Sequence, residues 1–130
     1  GYGTDEFPAF YARSSGLGVD QRVETPAEVA AIARAHWAWG LGGVLLAVPP
    51  PAEAALPADV MEAAIAEALR AAEAAGIRGR ALTPFLLDEV RRRTAGASLD
   101  ANLALLRRNV QVGAKVARTL NAMEETCADQ

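Results

Sequence analysis

A chain of 130 residues fits one modest domain. Its net charge of −3 and pI near 5.1 leave no basic footprint for nucleic acid, and the longest apolar run is far too short to span a membrane. At 52% hydrophobic and 22% charged residues the composition is globular, yet much of the apolar count is alanine and aromatics reach only 5%, so the core of an isolated domain would be thin.

The chain opens on "GYGTDEFPAFYARSSGLG", rich in glycine and aromatics. "GYG" reads as the carboxyl end of a strand, the rim where α/β folds place ligands. Asp5 and Glu6 are adjacent acids. A general acid/base pair is one reading, and a solvated or capping role is the more ordinary one. "DEFPAFY" reads as a short helical turn with Phe7, Phe10 and Tyr11 on its inner side. A short, polar edge strand is expected over residues 19–23.

"TPAEVAAIARAHWAWG" then reads as a helix. Thr25 is the N-cap, Pro26 suits the first helical position, and Glu28 completes a capping box. Val29, Ile32, Ala33, His36 and Trp37 form one stripe, and Gly40 is the stop. "GGVLLAVPPP" follows, with residues 44–48 a continuous apolar run closed by three prolines. Such a run predicts a strand buried on both faces of a mostly parallel sheet.

A second helix, "PADVMEAAIAEALRAAEAAG", carries an apolar face of Met61, Ala64, Ile65, Ala68, Leu69 and Ala72, and Gly76 stops it. The third repeats the Thr-Pro entry at Thr83 and Pro84 and ends near "TAGA". The fourth runs over residues 98–121, with Leu103, Leu106, Val110, Ala114, Ala117 and Leu120 on one face. The expected architecture is α/β: a helix-rich segment with two or three strands, part of an α/β/α layered sheet. Four amphipathic helices need more apolar sheet than residues 44–48 provide, so the sequence looks like one side of a larger sheet.

No catalytic constellation is complete in these residues. His36 is the only histidine and reads as structural; it excludes a His-rich metal site. Cys127 is the only cysteine, so it forms no internal disulfide, reads as an inert tail thiol, and fits a reducing, cytoplasmic setting. Neither a Walker lysine nor GxGxxG is present. Lys115, the only lysine, has no neighbour in sequence to lower its pKa and is a poor Schiff-base candidate. Asn102 and Asn109 are seven apart and share nearly one helical face, with Asn102 in the first turn beside the positive dipole end. Two readings stand: amides presented to a polar ligand such as a uracil-like edge, or amides bonding neighbouring loops.

"GYGTDEFPAFYARSSG", "TPFLL" and "SLDANLALLRRN" together resemble the C-terminal part of the pseudouridine-5'-phosphate glycosidase, or indigoidine synthase A-like, family. The resemblance reaches about Leu120 and implies an α/β/α enzyme, a homotrimer when full length. It implies reversible cleavage of the C–C glycosidic bond of pseudouridine 5'-phosphate to uracil and ribose 5-phosphate. The implied machinery is a lysine Schiff base, a glutamate proton donor and a manganese ion held through an aspartate, all upstream of this segment and not in it. On this resemblance residues 1–130 are the C-terminal portion of one domain whose N-terminal catalytic portion is absent.

Asn102 matches the substrate-contacting asparagine of "SLxxN", and Asn109 matches the second of a usual Asn-Asn pair. Arg108 replaces the first of that pair, and "AVPPP" lacks the usual asparagine before proline. The fragment alone is expected to be inactive, with no partner among nucleic acids or membranes. The alternative is a truncated non-catalytic remnant that acts only as a binding or structural module.

Overall fold

The computed structural model describes residues 1–9 and 11–128, with side chains described as far as residue 125. The expectations for Phe10 and for the Cys127 thiol therefore lie outside the described residues. Four α-helices dominate: α1 (Pro26–Ala38), α2 (Ala58–Ala74), α3 (Leu82–Arg93) and α4 (Ala97–Ala128). A short 3₁₀ turn, Gly79–Ala81, leads into α3.

The helix ends follow from local chemistry. At α1 the Thr25 hydroxyl accepts from the Glu28 amide at 3.2 Å, and the Glu28 carboxylate accepts from the Thr25 amide at 3.1 Å. These reciprocal bonds satisfy amides that the first helical turn leaves without partners. At its far end the Leu41 amide reaches the His36 carbonyl (3.2 Å) across Gly40, whose φ of 69° is left-handed. The same stop recurs where the Ile77 amide reaches the Ala72 carbonyl across Gly76.

The start of α3 differs from expectation. Thr83 lies inside the helix rather than capping it, and no side chain caps the N-terminus. The 3₁₀ turn supplies the entry, and Pro84 is tolerated because first-turn amides have no intrahelical acceptor anyway. At the end of α3 the Gly96 amide bonds the Arg91 carbonyl at 2.8 Å, and Ala95 sits at φ 49°. A side chain in that left-handed region is strained by about 1 kcal/mol. Ala95→Gly is expected to stabilise the chain by about 0.5–1 kcal/mol, read as a higher urea midpoint at unchanged m-value.

No regular strand forms among the described residues. The expected strands appear instead as extended segments joined by single bridges. Tyr2 lies parallel to Val23, and its amide also donates to the Ala47 carbonyl at 2.8 Å. Residues 1–3 thus sit between residue 23 and residue 47. The run over residues 44–48 is corrected from a strand buried on both faces: Val44 and Leu45 are 40% and 80% exposed. Among the described residues, one backbone bond from Tyr2 is too little to build a ladder there. The run then dives inward, and Pro49 and Pro50 are buried, with the Pro50 carbonyl accepting from Arg13 at 2.5 Å.

The opening stretch is likewise extended, not helical. The Phe7 amide donates to Leu17 and the Val19 amide to Asp5, so residues 5–7 and 17–19 pair antiparallel and close a loop. The helices pack as two main pairs joined between α3 and α4. Helix α2 packs on α3, α3 on the start of α4, and α1 further along α4. One core cluster joins Tyr11, Met61, Ala64, Ala68, Val90 and Ala101, with Leu56 and Leu86 against it. The alanines let helices approach closely but bury little area each.

Candidate active-site wall

The end of α3, the start of α4 and Tyr11 enclose a cleft of about 220 Å³. Asn102 lines it with Tyr11, Leu87, Asp88, Arg91, Ser98 and Leu99. Tyr11 is delivered from the opening loop, held by Leu56, whose amide donates to its carbonyl at 3.2 Å. The Tyr11 hydroxyl shares a hydrogen bond with Ser98, the one polar side chain buried to 1% exposure among the described residues. Burial pushes the Tyr11 phenol above its usual pKa, and the Ser98 bond pulls weakly the other way. At the cleft's rim Arg91 pairs with Asp88 at 2.7 Å. An amide, two hydroxyls and an ion pair thus converge on one small space.

The N-terminus of α4 is already satisfied. The Ser98 amide donates to the Thr94 hydroxyl at 3.2 Å, and the Leu99 and Asp100 amides donate to the Gly96 carbonyl. Because α4 starts at Ala97, Asn102 falls in its second turn rather than its first. The side-chain amide, not the helix dipole, is therefore the polar group that Asn102 brings to the cleft. Asn109 is exposed and lies outside the cleft, so the structure does not bring the two asparagines into one pocket. Arg108 turns toward the inner side of α4, where its Nε is buried without a hydrogen-bond partner.

The other singled-out groups have structural duties or stand apart. Asp5 pairs with Arg22 at 2.6 Å. The Glu6 carboxylate accepts from the Ser14 hydroxyl and from the Gly16 amide (2.8 Å), which close the loop and hold its pKa below the usual carboxylate range. The pair is thus a loop clasp, not an acid/base couple. A depressed folded-state pKa means that this contribution is present above the unfolded value of about 4.3 and is lost as pH falls through the folded one. The Gly16 amide resonance should therefore titrate with a midpoint below about 4.3; a midpoint at or above that value would remove the clasp.

His36 is half-buried and borders a larger, open groove of about 430 Å³ lined mainly by apolar residues, including Val23, Ile32, Val44 and Leu46. Lys115 is exposed on α4. Among the described residues no three His, Cys, Asp or Glu side chains are grouped to hold a metal, so these residues do not fit a manganese site. No helix among them is long and apolar enough to cross a membrane. The sequence pointed to Asn102 but read Tyr11 only as packing and Ser98 only as a helix start. Ser98 lies four residues before Asn102, on a neighbouring part of the helix surface, and that spacing is the signal that could have paired them.

The helix-rich fold, with the Asn102 cleft between α3 and α4, can be set beside proteins of known structure. The family model for indigoidine synthase A like protein matches residues 1–119, and the chain belongs to that family. It is 54% identical over 118 residues to a pseudouridine-5'-phosphate glycosidase of Rhodospirillum centenum, covering 90% of this chain and 37% of that protein. It is 51% identical to the same-named protein of Caldanaerobacter subterraneus subsp. tengcongensis, covering 95% and 40%. Its fold matches the crystal structure of the prealnumycin C-glycosynthase AlnA in complex with ribulose 5-phosphate, with TM-score 0.86, 33% identity, and coverage of 96% of this chain and 41% of that one. The chain spans about two fifths of the length of these relatives and corresponds to the C-terminal part of the curated ones.

Proposed function

We propose that this chain is the C-terminal portion of a pseudouridine-5'-phosphate glycosidase and forms one wall of its substrate pocket. The observation that carries the reading is the 54% identity to a glycosidase together with Asn102 in the Tyr11–Ser98 cleft. The reaction is the reversible cleavage of pseudouridine 5'-phosphate to uracil and ribose 5-phosphate. A C-glycoside has no heteroatom leaving group, so protonation of the kind used on O-glycosides is inadequate and an iminium electron sink is needed. The lysine, glutamate and manganese-binding aspartate for that chemistry belong to the portion of the family that this chain does not span. Manganese would act there as a Lewis acid.

The part assigned to this chain is binding and orientation. The Asn102 amide can donate to a carbonyl and accept from an N–H of a uracil-like edge at once. Ser98 and Tyr11 fix the floor beneath it. Helices on both sides of a continued sheet, a homotrimer and a cytoplasmic setting complete the reading, with family membership as their support. Replacing the C-terminal part of the Rhodospirillum centenum relative with this chain tests it. The chimera should release uracil from pseudouridine 5'-phosphate, and this chain alone should not. A folded but inactive chimera would favour a non-catalytic module, and turnover by the chain alone would refute the assignment of the chemistry elsewhere.

A further inference from the structure

Helix α4 is apolar on two opposite sides. Its inward side buries Ser98, Ala101 and Val112. Its outward side carries Leu99, Leu103, Leu106 and Val110, which are 45%, 42%, 52% and 71% exposed. With Gly113 and Ala117 these residues alternate in steps of four and three, the seven-residue repeat that receives another helix by knobs-into-holes packing. Asp100, Arg107 and Arg118 border the stripe on one flank and Asn102 and Asn109 on the other.

Gly113 is an independent second observation. Glycine inside a helix is unfavourable, and at this position a Cβ would meet nothing within 4 Å. Nothing in the described residues requires its absence. Close approach of a partner backbone would.

We propose that this outward face is a helix-docking seam, and that its occupant is a helix from the portion of the family that this chain does not span. The AlnA structure, matched at TM-score 0.86, is covered over only 41% of its chain, so the larger part of such a protein is the candidate cover. The proposal rests on the reading above that such a portion completes the enzyme. It adds where that portion sits: on Leu103, Leu106 and Val110, crossing closest at Gly113, beside the Asn102 flank.

The chimera with the Rhodospirillum centenum relative provides the test, in a Cys127→Ser background. Leu103→Cys and Leu106→Cys are labelled with a thiol reagent in the chain alone and in the chimera, with Gln111→Cys as a control off the seam. The seam cysteines should label at least about 100-fold more slowly in the chimera, and the control should change little. Gly113→Ala should raise the melting midpoint of the chain alone by about 2–4 °C, because it removes a helix-interior glycine. Gly113→Leu should restore fast labelling in the chimera. Equal labelling in the two contexts overturns the proposal. So does protection already present in the chain alone through self-association, or protection indifferent to Gly113→Leu. Uracil release is read separately: an active chimera with an open seam removes the docking, and a protected seam without activity removes the proposed function.

Discussion

Tyr11→Ala should cost about 3–5 kcal/mol of stability, the range for deleting a large buried aromatic. Tyr11 is 6% exposed and belongs to the cluster that joins α2, α3 and α4 through Met61, Ala68, Val90 and Ala101. Its neighbours there include three alanines, Ala64, Ala68 and Ala101, whose short side chains cannot move in to fill the space. The cavity term should therefore be large. Tyr11→Phe keeps the ring and removes the hydroxyl, leaving the buried Ser98 hydroxyl short of its partner at about 1–3 kcal/mol. Urea unfolding followed by far-ultraviolet circular dichroism measures both. A Tyr11→Phe loss as large as that of Tyr11→Ala would show that the hydrogen bond, not the ring, holds the loop to the helices. A negligible loss for Tyr11→Ala would remove the loop from the core.

The same residue shows what the sequence could and could not reveal. Helices α1 and α2 were legible because their ends are set locally, by Thr25 with Glu28 and by Gly40 and Gly76. The start of α3 was not, because a Thr-Pro pair serves equally inside a first turn once a 3₁₀ turn precedes it. The apolar run over residues 44–48 signals a buried strand by composition, yet a strand is a relation between segments, and only Tyr2 supplies a backbone partner among the described residues. In α4 periodicity correctly placed Leu103, Leu106 and Val110 on one face. It could not say which of two apolar faces turns inward, because Ala101, Leu105 and Val112 repeat with a similar period on the other. Ala101 and Val112 took the inside, where helices pack closely, and Leu99, Leu103 and Leu106 face out. Of the cleft's lining, the sequence singled out only Asn102, since the Tyr11–Ser98 bond spans 87 positions and leaves no local pattern.

In the chimera, Asn102→Ala should lower kcat/KM for pseudouridine 5'-phosphate by about 10- to 100-fold, equivalent to about 1.4–2.7 kcal/mol of lost transition-state binding. The magnitude follows from removing one donor–acceptor amide from a partly closed cleft, where the ligand groups it served would be left unpaired. Asn109→Ala should stay within about twofold, since that side chain is exposed and outside the cleft. The contrast separates the structure from the motif. The family pattern nominates both asparagines, whereas the fold places only Asn102 beside Tyr11 and Ser98. Asn102→Asp distinguishes the role further. It keeps the size and the acceptor but loses the N–H donors, and its negative charge opposes a phosphorylated substrate. If the amide donates to a uracil-like carbonyl, Asn102→Asp should be at least as damaging as Asn102→Ala. Equal losses for Asn102→Ala and Asn109→Ala would instead mean that the assembled protein draws both into one site and that the cleft is not the boundary of the pocket.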